Sequence, residues 1–131
     1  MPRPQPYPAI LIAEDEYVFA AEMAAWIEDY CLNPLGPVSS VQAAKDLLDT
    51  VDRPDAAILD IQLRGENVYP IARILRTREI PFVFVTGYDR CVLPPEFRDI
   101  PLVSKPTTER QLLPVLQQMM SPDRSHRRAD G

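Results

Sequence analysis

Four short apolar runs in this chain each stop at a polar residue of a type that phosphoryl chemistry uses. Residues 9–13 run into Glu14 and Asp15, residues 56–59 into Asp60, residues 82–85 into Thr86, and residues 102–103 into Ser104 and Lys105. Read as parallel strands, they bring these residues together, because the binding crevice of an open α/β sheet lies outside the carboxyl ends of its strands. Three carboxylates, a hydroxyl and an ammonium then share one sheet edge.

Carboxylates held that close resist ionising together unless a cation sits among them. Mg²⁺ suits the supply: it takes hard oxygen ligands, commonly one or two carboxylates, and keeps its remaining positions for water or phosphate oxygens. None of these strand ends offers the cysteine or histidine that would favour zinc. Asp60 has a second possible role, since an aspartate carboxylate attacks phosphorus to form an acyl phosphate. Lys105 supplies a point charge for a phosphate oxygen, Thr86 a hydroxyl donor, and Gly87 leaves the approach uncrowded. The set suits phosphoryl transfer, in which a protein mainly positions groups and neutralises charge.

Ile10-Leu11-Ile12-Ala13-Glu14-Asp15-Glu16, Leu59-Asp60-Ile61, Val85-Thr86-Gly87-Tyr88 and Ser104-Lys105-Pro106 together resemble the receiver domain of two-component response regulators. The likeness covers residues 9–120. It implies a doubly wound α/β fold of the flavodoxin-like kind, with five parallel strands in the order 2-1-3-4-5 and helices on both faces. It also implies that Asp60 is the phospho-acceptor, that Asp15 and Asp60 bind Mg²⁺ directly with Glu14 as an outer ligand, and that the backbone carbonyl of Gln62 completes the protein ligands. Thr86 and Lys105 would hold the phosphoryl oxygens. The segment 81–88 further resembles an alphaproteobacterial receiver subgroup with a Phe-Ala-Thr-Gly-X-Tyr signature, Val85 replacing the alanine.

The chain departs from the common receiver pattern at Leu102, where most members carry an aromatic three residues before the lysine, and at Thr107, where a phenylalanine is usual. Gly87, Tyr88 and Leu102 are therefore the expected switch and partner positions, with Tyr88 as the moving aromatic. The stretch 94–98 is short, so the fourth helix is expected to be a stub or absent.

At 131 residues the chain fits one domain, with a Pro-rich lead over 1–8 and a polar tail over 121–131, and a stand-alone receiver is expected. Its net charge of −5 argues against direct nucleic-acid binding, which relies on basic surface. Arg3, Arg124, Arg127 and Arg128 against Asp123 and Asp130 make the ends basic, so residues 9–120 are more acidic still. Cys31 and Cys91 stand far apart without a metal or disulfide pattern, no run is long enough to span a membrane, and a cytoplasmic setting is expected.

The helical periodicities fill in the frame. Phe19, Met23, Trp26, Ile27 and Tyr30 predict a first helix over 17–30, with Met23 and Trp26 in the core. Residues 35–38 predict the second strand. Ala44, Leu47, Leu48 and Val51 predict a second helix behind a Ser40 cap. Val68, Ile71, Ala72 and Leu75 predict a third, with Asn67 as cap, Pro70 in its first turn, and Arg73, Arg76 and Arg78 facing solvent near its end. Thr108 and Gln111 are spaced as a capping box for a last helix through Leu112, Leu116 and Met119, which Pro114 should kink. His126 reads as tail.

The expected function is signalling rather than enzymatic turnover. A phosphohistidine on a sensor histidine kinase or histidine phosphotransfer protein donates to Asp60, and a downstream protein reads the changed surface. Two other classes fit the residues: a receiver-shaped adaptor whose contacts ignore phosphorylation, and a Mg²⁺-dependent phosphohydrolase.

Overall fold

The computed structural model describes residues 7–50, 53–87 and 93–120. Tyr88, Cys91, Val51, most of the Pro-rich lead and the tail lie outside the described residues. The elements run β1 (Ala9–Ala13), α1 (Tyr17–Asp29), β2 (Asn33–Val38), α2 (Val41–Thr50), β3 (Ala56–Leu59), β4 (Gln62–Leu63), β5 (Glu66–Asn67), α3 (Tyr69–Thr77), β6 (Phe82–Thr86), a 3₁₀ turn (Pro95–Phe97), β7 (Leu102–Ser104) and α4 (Glu109–Met120). The main sheet is wholly parallel in the order β2-β1-β3-β6-β7. Counting its five strands alone, that is the expected 2-1-3-4-5 order.

Alternation along the strands builds two cores, since neighbouring side chains in a strand point to opposite faces. Leu11, Ala13, Ala57, Leu59, Phe82 and Phe84 face α2 and α3 through Ala44, Leu48, Ile71 and Leu75. Ile10, Ile12, Ala56, Ile58, Val83 and Val85 face α1 and α4 through Met23, Ile27, Leu112, Leu113 and Leu116. Burial on both faces explains why these strands read as continuous apolar runs.

Several expectations change. β2 starts at Asn33 rather than residue 35, and both Pro34 and Pro37 fit because β2 is an edge strand. Gly36 has φ +96°, and a Cβ there would lie 2.7 Å from Val38 N and 3.1 Å from Ile12 O, so the position demands glycine. A small hairpin, β4–β5, adds to the predicted elements; it turns at Arg64 (φ 51°) and Gly65 (φ 83°), both left-handed as a type I′ hairpin turn requires. Asn67 lies in β5, and its Oδ1 accepts the Tyr69 N–H at 3.3 Å just ahead of α3. Ser40 does cap α2, its Oγ accepting the Ala43 N–H at 3.1 Å. At α4, the Gln111 Oε1 accepts the Thr108 N–H at 3.1 Å, the reciprocal half of the expected capping box. Trp26 is half-buried, not core: it borders an open groove with Tyr30, Thr108 and Arg110.

Between β6 and β7, the described helical segment is the 3₁₀ turn alone. Phe97 is its anchor, fully buried, stacked on Tyr69 at 5.3 Å between ring centroids and edge-on to Phe84 at 5.8 Å. The arginines of α3 do not simply face solvent. Arg73 grips the Glu96 carboxylate with two hydrogen bonds (3.2 and 2.7 Å), while Arg76 donates to the Glu96 carbonyl and to Asp99. Both guanidiniums sit over the Phe97 ring, 5.7 and 5.6 Å from its centre. Arg78 instead donates to the Leu48 carbonyl of α2.

Candidate functional site

Backbone bonds fix the strand ends before any side chain acts. The Asp60 N–H donates to the Ala13 carbonyl at 2.9 Å, tying the end of β3 to the end of β1. The Glu14 N–H donates to Val38 O at 2.9 Å, and the Lys105 N–H to Thr86 O at 2.9 Å. Four chain segments therefore leave the sheet at one level, and their first polar side chains meet.

Glu14, Asp15 and Asp60 each place a carboxylate oxygen within 4.8 Å of the others. Glu14 and Asp60 are buried and Asp15 is exposed. The turn of the small hairpin arches over this cluster: the Arg64 N–H donates to Asp15 Oδ2 at 2.8 Å, and the Gln62 N–H to Asp60 Oδ1 at 3.3 Å. The hairpin thus holds two acids in place from above. Thr86 is almost fully buried at the end of β6, beside β3 in the sheet. Lys105 spends its three ammonium protons on Asp60 Oδ2 (2.9 Å), Glu16 Oε1 (2.9 Å) and Glu14 Oε2 (3.3 Å).

The charges follow from this placement. Burial pushes the Glu14 carboxyl up from 4.5 to about 7; the nearby Asp60 charge adds to the rise, while the Glu16 N–H and Lys105 oppose it. Burial pulls the Lys105 ammonium down, but its bonds to Glu16, Asp60 and Glu14 outweigh that and hold it above the ordinary lysine range. Glu14 binds its proton more tightly in the folded chain than unfolded, so its contribution to stability is whole below pH 4.5 and is lost as pH rises through about 7. Denaturant midpoints in a metal chelator should accordingly fall between pH 5 and pH 8, and Glu14→Gln should flatten that fall. An unchanged slope in the variant would place the proton elsewhere.

The cluster passes a direct test for a hard cation. Glu14 Oε1 is buried without a hydrogen bond, although it lies 3.1 Å from the Lys105 ammonium, and the donors are all oxygens. Oxygen donors with one lone pair to spare suit a divalent ion of the Mg²⁺ type.

Of the expected site residues, Glu14, Asp15, Asp60, Gln62, Thr86 and Lys105 all gather at this edge. Gly87 follows β6 on the surface, and a Cβ there would meet nothing within 4 Å among the described residues. Leu102 pairs with Phe84 in the sheet and is half-buried against the core. Two contributors carried no expected role: Glu16, the third acid on Lys105, and Phe19, whose ring centre is 5.2 Å from the ammonium. Glu16 sits in the same acidic triplet as Glu14 and Asp15, which was the available signal.

A parallel 2-1-3-4-5 sheet with an acid cluster and a lysine outside its carboxyl ends is the architecture of a receiver-type domain. No protein-family model matches the chain. It is 30% identical to the phyllosphere-induced regulator PhyR of Methylorubrum extorquens over 126 residues, 93% of this chain and 47% of that protein. The solution structure of SdrG from Sphingomonas melonis Fr1 is 36% identical, with a TM-score of 0.77 over 89% of this chain and 99% of SdrG. A BeF₃-activated conformation of SdrG matches with a TM-score of 0.73 over 86% of this chain and 96% of SdrG, again at 36% identity. The receiver domain of Erythrobacter litoralis PhyR, at 24% identity and a TM-score of 0.76 over 87% of this chain and 90% of that one, shares the fold. The chain belongs to the response regulator receiver domains. It spans about half the length of the curated relatives it matches.

Proposed function

We propose that this receiver is a phospho-acceptor: Asp60 takes a phosphoryl group from a phosphohistidine of a sensor kinase or histidine phosphotransfer protein, and the changed surface is read by another protein. The observation that carries this is the Asp60 carboxylate itself, buried at the end of β3 with an ammonium 2.9 Å from one oxygen and a backbone N–H 3.3 Å from the other. Both contacts hold the carboxylate in one orientation, which removes part of the entropy cost of attack.

In the transfer, an Asp60 oxygen bonds to phosphorus as the P–N bond of the donor breaks. The bond's electron pair returns to the imidazole, which takes a proton from water. Lys105 stands beside Asp60, placed to bond a phosphoryl oxygen, and the Thr86 hydroxyl is the second donor in this reading. Asp15, Asp60 and the Gln62 carbonyl are the residues that would hold Mg²⁺, with Glu14 as outer ligand. When bound, the ion offsets the negative charge on the phosphoryl oxygens.

The phosphoryl group brings up to two negative charges and the carboxylate gives up one, so the product gains up to one further negative charge and three acceptor oxygens at neutral pH. Output then runs through the loop after β6, which begins at the exposed Gly87, with Tyr88 as the moving aromatic of this reading. The existence of a BeF₃-activated conformation of SdrG supports a switch at the acceptor aspartate, because beryllofluoride on a carboxylate has the shape of a phosphoryl group.

The test is a metal titration joined to phosphoryl uptake. Mg²⁺ should bind in the high-micromolar to millimolar range, and Asp15→Asn should weaken it by about tenfold, as loss of a direct charged ligand does. Uptake from a small phosphoramidate should require the metal. Mg²⁺ affinity equal to wild type in Asp15→Asn would show the pocket to be misassigned, and uptake without any metal would exclude the ligand set.

A further inference from the structure

Glu16 has no part in the proposed phosphoryl chemistry, yet it holds the residue on which that chemistry depends. Its Oε1 is 2.9 Å from the Lys105 ammonium, as close as Asp60 Oδ2, and the Phe19 ring lies beneath the same ammonium. Unlike Glu14 and Asp60, its carboxylate is 64% exposed. Glu16, Phe19 and Lys105 border an open groove with Glu22, Pro106 and Thr107, separate from the groove that Asp15 borders. Lys105 therefore stands between two compartments, the acid cluster on one side and this groove on the other.

All three ammonium protons are occupied in this state. An ammonium has no fourth, so bonding a phosphoryl oxygen obliges Lys105 to surrender a partner. Asp60 is the acceptor itself and stays beside the ammonium, Glu14 would be left buried and unpaired, and Glu16 therefore costs least to release, because its carboxylate returns to water. We infer that Glu16 is a positioning residue that draws Lys105 toward the groove at rest and competes with the phosphoryl oxygens for it. Removing Glu16 frees one donor in advance, so uptake should accelerate.

This inference rests on the phospho-acceptor reading, and the experiment separates the two. Wild type, Glu16→Gln, Lys105→Ala and the double variant are each given phosphoramidate with Mg²⁺, and the rate of mass gain is followed on the intact chain. Glu16→Gln should be about two- to fivefold faster than wild type, the range set by one exposed ion pair. In the Lys105→Ala background the same substitution should change nothing, since Glu16 acts through Lys105. Where uptake by Lys105→Ala is too slow for a rate, the same cycle is read from the affinity for beryllofluoride with Mg²⁺. An equal gain with and without Lys105 would overturn the inference, leaving only a general relief of negative charge. A Glu16→Gln rate equal to wild type would also overturn it. Absence of uptake by wild type would instead sink the phospho-acceptor reading itself.

Discussion

Asp60→Asn is expected to take up no phosphoryl group under conditions that label the wild-type chain fully, while unfolding at nearly the same denaturant concentration. The amide matches the carboxylate in shape but lacks the anionic oxygen that attacks phosphorus. It keeps one acceptor, so it can serve either Lys105 at 2.9 Å or the Gln62 N–H at 3.3 Å, not both. The lost bond costs about 1 kcal/mol, against which the substitution relieves the charge that helps push Glu14 up. Intact-mass measurement after exposure to the donor decides the uptake, and a denaturant curve decides the fold. Labelling that persists in the variant would move the acceptor to another acid of the cluster.

Phe97→Ala is expected to cause the largest loss of stability of any single truncation among the described residues between β6 and β7, about 3–5 kcal/mol. The ring is fully buried, packs on Tyr69, Phe82 and Phe84, and lies under Arg73 and Arg76. Its removal empties the centre of that cluster and leaves both guanidiniums without the face they cover. Against a typical domain stability of roughly 5–15 kcal/mol, such a loss is a large shift in the denaturant midpoint. Leu102→Ala should cost less, about 1–2 kcal/mol, because Leu102 is only half-buried. A Phe97→Ala loss below that of Leu102→Ala would show that the 3₁₀ turn is not anchored by its aromatic ring.

The parts that were legible in the sequence are those set by burial. β1, β3 and β6 are covered on both faces, so each appears as an unbroken apolar run, and the polar residue that ends each run marks the sheet edge. The lysine after β7 was legible from the Ser104-Lys105-Pro106 string instead, since β7 is an edge strand and only half-buried. What was not legible depends on contacts between residues distant in the chain. The pair β4–β5 has two residues per strand, too few for any alternation to register, and only Arg64-Gly65 hints at its turn. Arg73 and Arg76 look like the basic end of an exposed helix until the fold brings Glu96 and Asp99 beside them. Trp26 follows the helical period of Met23 and Ile27 but stands at the margin of the buried stripe, where the α1–α4 groove leaves it partly open. Glu16 stands within an acidic triplet, and nothing local to it signals that its partner lies 89 residues away.

One measurement reaches the acceptor directly. The wild-type chain is incubated with a phosphohistidine-bearing donor and Mg²⁺, reduced with borohydride to convert any aspartyl phosphate to homoserine, digested, and mapped by mass spectrometry. Conversion at position 60 alone is the predicted result, lost when the metal is chelated. Conversion at any other acid of the cluster, or none despite a competent donor, would contradict the assignment of Asp60 as the phospho-acceptor.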